Sequence, residues 1–449
     1  MRPARAFGLL LAAWLLACAT ASADPGGAIV LPQDRPGRFL GVETCGTKLC
    51  HDSAEPWRNA TVSMQERRIW QAHDTHAGAQ ASLASELAAR ISANLGLADA
   101  TSARPCLVCH STDVALSQRG PKLRGDEGVS CESCHGAGGD FLRAHLSPTA
   151  TYASNVAAGL YPTADSEARA TLCLSCHRGD ARRRITHRFY AAGHPRLRFE
   201  LDTYGARQPY HHRVDADYRR RKPAPSHFRL WAAGAIGAAQ ALIKDVYSTP
   251  RAATGVFPEP SLYDCHACHS SYSDGLDFAS RVGLPPGVPV LADAPLLVLR
   301  AVAAVIEPQL VSELRDRTRA LERSPRDGPA RVAALQGVGA TLRRLQGTLT
   351  TYAEQPTDAS TAAAALVVVV AEEQPLPYVA AESIAMGLST LLLADYEERR
   401  LDPEIHARVE QAVDRLYATL EDEGAWRPAA FAQAAGALRT VRPRPAPPP

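Results

Sequence analysis

Methionine is nearly absent from this 449-residue chain, at three positions (Met1, Met64 and Met386), and lysine is scarce, at four (Lys48, Lys122, Lys222 and Lys244). Past the N-terminus no apolar run approaches the roughly 20 residues that a membrane-spanning helix needs. The longest, 362–371, stops at Glu372 and Glu373. A formal net charge of +2 excludes the basic excess of a nucleic-acid binder. With 46% hydrophobic and 21% charged residues, a disordered chain is excluded as well. The length allows two or three domains.

The first residues read as a targeting segment. Arg2 and Arg5 precede an apolar run from Phe7 to Ala17, followed by the small residues Ala21-Ser22-Ala23. That order predicts a signal peptide over 1–23, cleaved after Ala23, and an exported, periplasmic protein. Leu15-Leu16-Ala17-Cys18 also resembles a lipobox, which would instead leave a lipid anchor at Cys18. Beyond it no transmembrane helix is expected.

What the chain does have is cysteine and histidine in a fixed pattern. Ten cysteines form five pairs: Cys45/Cys50, Cys106/Cys109, Cys131/Cys134, Cys173/Cys176 and Cys265/Cys268. Each pair is closed by a histidine, namely His51, His110, His135, His177 and His269. Four pairs read C-x-x-C-H, the signal for c-type haem attachment, in which two thiols add to the porphyrin vinyl groups and the imidazole meets the iron. The first, C-x-x-x-x-C-H, is a longer variant whose extra residues would bulge out of the loop. With 15 histidines in the chain, chance would close all five pairs with a probability on the order of 10⁻⁷. Zinc sites do not require that histidine, and disulfides across two-residue loops would staple almost nothing. Five covalently bound c-type haems are therefore expected.

Gly, Pro, Asp and Ser interrupt the sequence from Arg35 to about Pro285, leaving two good helical periods, Ser82 to Leu95 and Phe228 to Val246. The porphyrins would supply the apolar area that the side chains do not. Each iron needs a sixth ligand to be a closed electron carrier. Only Met64 is available as a methionine in this region, so histidine is expected there. Nine candidates remain: His73, His76, His145, His187, His194, His211, His212, His227 and His266. His187 and His194 follow the fourth motif closely. Of the doublet His211-His212 one would ligate, with His212 favoured. His227 opens a helix and would cap it. His266 lies inside its own attachment loop and is read as a spacer, as His73 and His406 are read as surface residues.

Gly41 to Cys45 (GVETC), Trp70 to His76 (WQAHDTH), Gly128 to Gly136 (GVSCESCHG) and Ala192 to Leu201 (AGHPRLRFEL) resemble the multihaem cytochromes of the cytochrome c-554 family. The resemblance covers about Phe39 to Tyr272. It implies a mostly α-helical, exported electron carrier with closely packed haems, related in haem arrangement to hydroxylamine oxidoreductase. It also implies His76, His145 and His194 as distal ligands. The chain departs from that pattern by having five attachment motifs where the family has four, and by a long extension.

Two arginine runs, 182–184 and 219–221 with Lys222, would pair with haem propionates, receive an acidic partner, or form a solvated basic face. From Ala294 the text changes to Ala/Leu/Val/Arg/Glu segments: Leu296 to Glu322, Pro329 to Tyr352, Ser360 to Glu373, Val379 to Arg400, Pro403 to Glu421 and Pro428 to Thr440. The expected fold class is mainly α: a loop-rich multihaem domain over 24–285 with few short helices, a helical bundle over 286–440, and a disordered Pro-rich tail over 441–449. Three functions fit. The leading one is an electron carrier between redox partner proteins through largely bis-histidine haems. The others are an oxidoreductase acting on a small nitrogen or sulfur species at one five-coordinate haem, and a haem subunit that assembles a larger respiratory complex.

Overall fold

A computed structural model describes residues 29–55, 62–208, 211–248, 259–269, 281–285, 288–399 and 403–441. The expected signal peptide 1–23, the alternative anchor Cys18 and the tail from residue 442 lie outside the described residues. Internal contacts separate Met1–Val30 from Leu31–Pro449, and the fold below is that of the second unit. Among the described residues the regular elements are helices without strands, the mainly α class expected, and none is long and apolar enough to cross a membrane. Extended pairing is confined to two isolated bridges, Phe39 with Arg119 and Tyr263 with Leu291.

In the N-terminal half the helices are short because capping residues and prolines recur. The segment read as one helix from Ser82 is a 3-10 turn, Ala81–Ala84, followed by helix Glu86–Leu95. Ser85 divides them: its hydroxyl accepts from Ala88 N as an N-cap, and Gly96 ends the helix in the left-handed conformation. The buried apolar residues there gather into small separate clusters, such as Phe39 with Val114 and Ala137, or Ile91 with Leu95 and Ala192. The second predicted period is a 22-residue helix, His227–Ser248. Trp231, Ala232, Ile236 and Ala239 on it are fully buried. Gly237 admits close approach of the helix that bears the fourth motif, since a Cβ there would lie 2.9 Å from Leu174 Cδ1. From Ala170 and Leu174 a single apolar core continues through Trp231 to Leu438.

The C-terminal segments are helices Pro329–Thr351, Asp358–Glu372, Tyr378–Arg399, Pro403–Ala418 and Pro428–Val441, close to their expected bounds. The segment read as continuous from Leu296 to Glu322 is instead two helices, Ala294–Ile306 and Leu310–Arg323. Pro308 lies in the break; it has no N–H to extend the first helix and biases Glu307 away from helical backbone. The apolar stripe survives the break, with Leu299, Val302, Leu310 and Leu314 all buried.

An ionic cluster is buried in this region. Arg281 donates to Asp293 (2.5 Å) and Glu373 (2.9 Å), and Arg300 donates to Glu373 (2.6 Å) and Glu372. Glu322, 1% exposed, accepts from Leu291 N at 3.2 Å, while its other oxygen has no hydrogen-bond partner among the described residues. Burial, then the charge of Asp293, pushes its carboxyl from 4.5 up to about 7. The unfolded chain therefore releases this proton first. The stability Glu322 contributes is full below about pH 4.5 and is lost as pH rises to about 7. Denaturant unfolding of Glu322→Gln should lose about 3 kcal/mol of the decline that the parent protein shows across that window; identical profiles would contradict this assignment.

Candidate haem-attachment sites

The five Cys/His motifs fold as tight turns that bring their reactive groups together. Three end short helices at the histidine: Arg104–His110, Cys131–His135 and Ser166–His177. The fifth is a 3-10 turn, Cys265–Ala267, closed by His269 N donating to Cys265 O at 2.8 Å. In the first, helix Val42–Cys45 is followed by a turn in which Cys50 N donates to Thr47 O at 2.9 Å. The two extra residues are taken up there, and His51 N still reaches Cys45 O at 3.2 Å.

None of the ten cysteines in these motifs is in a disulfide. Burial pushes the Cys45 thiol up to about 12 and those of Cys131 and Cys173 to about 11, and it raises Cys134 as well. Zinc needs thiolates, which these surroundings oppose. A thioether sulfur is neutral, so the same burial suits covalent haem attachment. Cys109 and Cys176, from the second and fourth motifs, contact each other, and that contact raises the Cys109 thiol.

Cys268 departs from the other nine. The sequence assigns it to haem attachment on equal terms with them, yet it is exposed where they are partly buried. The physical reason is local: the fifth motif is a lone 3-10 turn and not the end of a helix, and Ala267, Cys268 and His269 all face solvent at its close. The shelter that favours a neutral thioether at Cys45, Cys131, Cys134 and Cys173 is therefore missing at Cys268 among the described residues, and its assignment rests on its place in the C-x-x-C-H motif alone.

Four of the five histidines that close the motifs face a second imidazole. Ring centroids are 6.1 Å apart for His51 and His145, 5.8 Å for His177 and His76, 6.2 Å for His135 and His211, and 6.2 Å for His269 and His187. Two imidazoles on one metal, with metal–nitrogen bonds of about 2 Å and ring centres about 1 Å beyond each nitrogen, lie roughly 6 Å apart. The residues therefore fit an iron between each pair. The His51/His145 and His269/His187 ring planes are near parallel, at 20° and 21°, whereas the other two pairs stand at 87°. His110 has no second imidazole at this spacing among the described residues. His194, the remaining expected distal ligand, lies near enough for His110 to contribute to its lowered pKa, after burial.

The ring edges that would face away from a metal are held. His51 Nδ1 donates to Glu66 Oε2 and His76 Nδ1 to Asp74 Oδ1, both at 2.9 Å; His110 Nδ1 donates to Ala79 O at 3.0 Å and His194 Nδ1 to Pro195 O at 2.8 Å. Such bonds fix the tautomer with Nε2 available for ligation. Burial alone would raise the Asp74 carboxyl, but its bonds from His76 outweigh this and hold it at about 2. Burial lowers His135 to about 3 and His177 to about 4, leaving both neutral, as a metal ligand must be.

The remaining candidates have other partners. His212, favoured from the sequence, stacks on Tyr218 (5.3 Å, 18°), and its neighbour His211 is the one that meets His135. Adjacent side chains diverge, so only one of the doublet can face that ring. His227 is bound to buried Asp202 at 2.9 Å, His266 to Glu423 at 3.2 Å, and His73 is exposed. Arg183 is buried, donating to Asp180 and to Val108 O, while Arg184 pairs with Asp245 and both Arg220 and Arg221 with Asp217.

Sequence reasoning missed the groups that lock the motifs to each other. Glu132, between the cysteines of the third motif and 2% exposed, accepts from Leu40 N (2.8 Å), Gly41 N (2.7 Å) and Gly138 N (2.6 Å). It thus ties the approach to the first motif onto the third. Thr112, two residues past His110, bonds Ser130 Oγ (2.9 Å) and Ser133 Oγ (2.7 Å) around the third motif. Gly128 must be glycine: its φ is +69°, and a Cβ would lie 2.5 Å from His76 O. A buried acid inside an attachment loop was the available signal for Glu132.

The attachment turns and facing imidazoles are those of a c-type cytochrome, an electron-transfer protein with covalently bound haem. Residues 44–136, which hold the first three motifs, match the family model for cytochrome c554 and c-prime. Over that segment the chain is similar to the cytochrome c-554 family, in line with the resemblance of its motifs. No curated protein and no solved structure matches. The AGHPRLRFEL block, the last two motifs and the helical extension lie outside the matched segment.

Proposed function

We propose that the chain is an exported multihaem cytochrome that carries electrons between redox partners through five covalently bound haems. The haem-bearing part is 24–285, with 286–440 as the helical part. Cys45/Cys50, Cys106/Cys109, Cys131/Cys134, Cys173/Cys176 and Cys265/Cys268 form the thioethers, that of Cys268 being the solvent-facing one. The axial pairs are His51 with His145, His177 with His76, His135 with His211 and His269 with His187; His194 is assigned to His110. A haem arrangement akin to that of hydroxylamine oxidoreductase belongs to the same proposal. The observation that carries it is the set of four imidazole pairs at 5.8–6.2 Å.

Haem, when bound, supplies reversible one-electron iron chemistry. The protein's own part is positional. Carboxylates on Nδ1 of His51 and His76 make those rings stronger donors, which favours the oxidised iron. Glu132 and Thr112 hold the first, second and third motifs at fixed separations, and the Cys109/Cys176 contact brings the second and fourth together. Short fixed separations are what an electron carrier requires.

Low-temperature electron paramagnetic resonance of the oxidised protein tests this. At least four low-spin irons are expected, in two classes: rhombic spectra from the two parallel imidazole pairs, and large-gmax spectra from the two perpendicular ones. A predominance of high-spin iron would overturn the reading.

A second reading, an oxidoreductase at one open haem, is favoured by the lack of a close imidazole opposite His110 among the described residues. Carbon monoxide binding to one iron of the reduced protein would support it; no binding would leave the carrier alone.

A further inference from the structure

Beside the second attachment motif is a cleft of about 870 Å³ between the segments 33–38 and 113–119. Among the described residues no cysteine or histidine lines it, which sets it apart from the attachment groups. Its walls are fixed to one another: Phe39 N donates to Gln118 O (2.8 Å), Gly120 N to Phe39 O (2.7 Å) and Gln118 Nε2 to Arg35 O (2.8 Å). Among the described residues five arginines border the cleft, Arg35, Arg38, Arg104, Arg119 and Arg182, against two carboxylates, Asp34 and Asp113. Asp113 is shared between Arg104 (3.4 Å) and Arg119 (3.9 Å), and Asp34 is taken by Arg182. A surplus of positive charge is thus concentrated here, in a chain whose whole net charge is +2.

The mouth is not that of a small-molecule pocket, which would bury most of its ligand and its polar groups. Leu116 on the rim is 83% exposed and Arg104 is 72% exposed. A bare leucine among arginines is the composition of a protein contact, where an apolar centre is ringed by charge. The cleft is also close to an attachment motif: Arg104 is two residues before Cys106, Asp113 is three after His110, and Arg183, next to Arg182, donates to Val108 O inside the motif at 3.1 Å.

We propose that this arginine cleft is the docking site of an acidic electron-transfer protein, whose carboxylates pair with the arginines while an apolar contact covers Leu116. The inference rests on the electron-carrier reading above. In the exchange, one electron leaves the reduced partner and converts one ferric iron of this chain to ferrous iron, with no bond made or broken and no proton moved.

The test uses the full-length, haem-loaded protein and a plant-type ferredoxin as the acidic probe. Stopped-flow reduction by reduced ferredoxin should slow with salt, and by about tenfold or more in Arg38→Glu/Arg104→Glu, because charges at a rim act on association. Reduction of the same variant by the methyl viologen radical cation, a positively charged reductant of low potential, should not slow. Calorimetric titration of oxidised ferredoxin into the oxidised protein, in which no electron moves, should show the same weakening. Leu116→Ser should weaken ferredoxin binding while leaving that of the inert anion hexacyanocobaltate(III) unchanged. An unchanged ferredoxin rate and affinity in the double variant would overturn the proposal, and so would arginines already occupied by haem propionates, seen as absence of binding by either anion. Weakened hexacyanocobaltate binding with unaltered ferredoxin kinetics would make this a small-anion site and overturn docking. Failure of the methyl viologen radical cation to reduce the parent protein would instead count against the electron-carrier reading itself.

Discussion

Replacing Glu132 by alanine should cost about 3–5 kcal/mol, enough to prevent accumulation of the fully loaded protein or to lower its denaturant midpoint sharply. The carboxylate is buried and accepts from three backbone amides belonging to two separate stretches of chain, 40–41 and 138. Alanine leaves all three N–H groups in a dry site without an acceptor. Glu132→Gln should fall between the two. Its carbonyl can replace Oε1 toward Leu40 and Gly138, but its NH₂ then opposes the N–H of Gly41. A Glu132→Ala protein within about 0.5 kcal/mol of the parent, with unaltered haem content, would show that the clamp contributes nothing.

The second expected result concerns two neighbouring histidines with opposite outcomes. His211→Ala should convert one low-spin iron to high-spin, visible in the paramagnetic resonance of the oxidised protein and in the optical spectrum. His212→Ala should leave the low-spin count intact and forfeit the stacking on Tyr218, about 1 kcal/mol of stability. The reverse pattern would restore His212 as the ligand, in line with the expectation from sequence. Only the ring geometry opposite His135 separates the two, since in composition and spacing they are equivalent.

That doublet shows where sequence reading stops. The attachment motifs are legible because the covalent chemistry they signal demands two thiols and an imidazole at close spacing, which the chain order itself displays. Their surroundings are not: nothing in the spacing of Cys265 and Cys268 distinguishes the exposed fifth motif from the sheltered third. The imidazoles that face the motif histidines come from remote segments, 94 residues apart for His51 and His145 and 101 for His76 and His177, so their pairing depends on the fold. The helical character of the C-terminal segments could be read from their period and the prolines between them, but the break at Pro308 was missed because the apolar stripe runs on across it. What no period discloses is that the Ser166–His177 and His227–Ser248 helices share an apolar core with segments reaching Leu438. The Nδ1 acceptors Glu66 and Asp74 and the clamp Glu132 also escape sequence reading, because their significance lies in what they touch.

The central claim is that five motifs each carry a covalent haem. Intact-mass measurement of protein matured in a host competent for c-type cytochrome assembly tests this directly. The expected mass is that of the processed chain plus five haems, retained under denaturing conditions. A bare polypeptide mass, or haem lost on denaturation, would contradict the account.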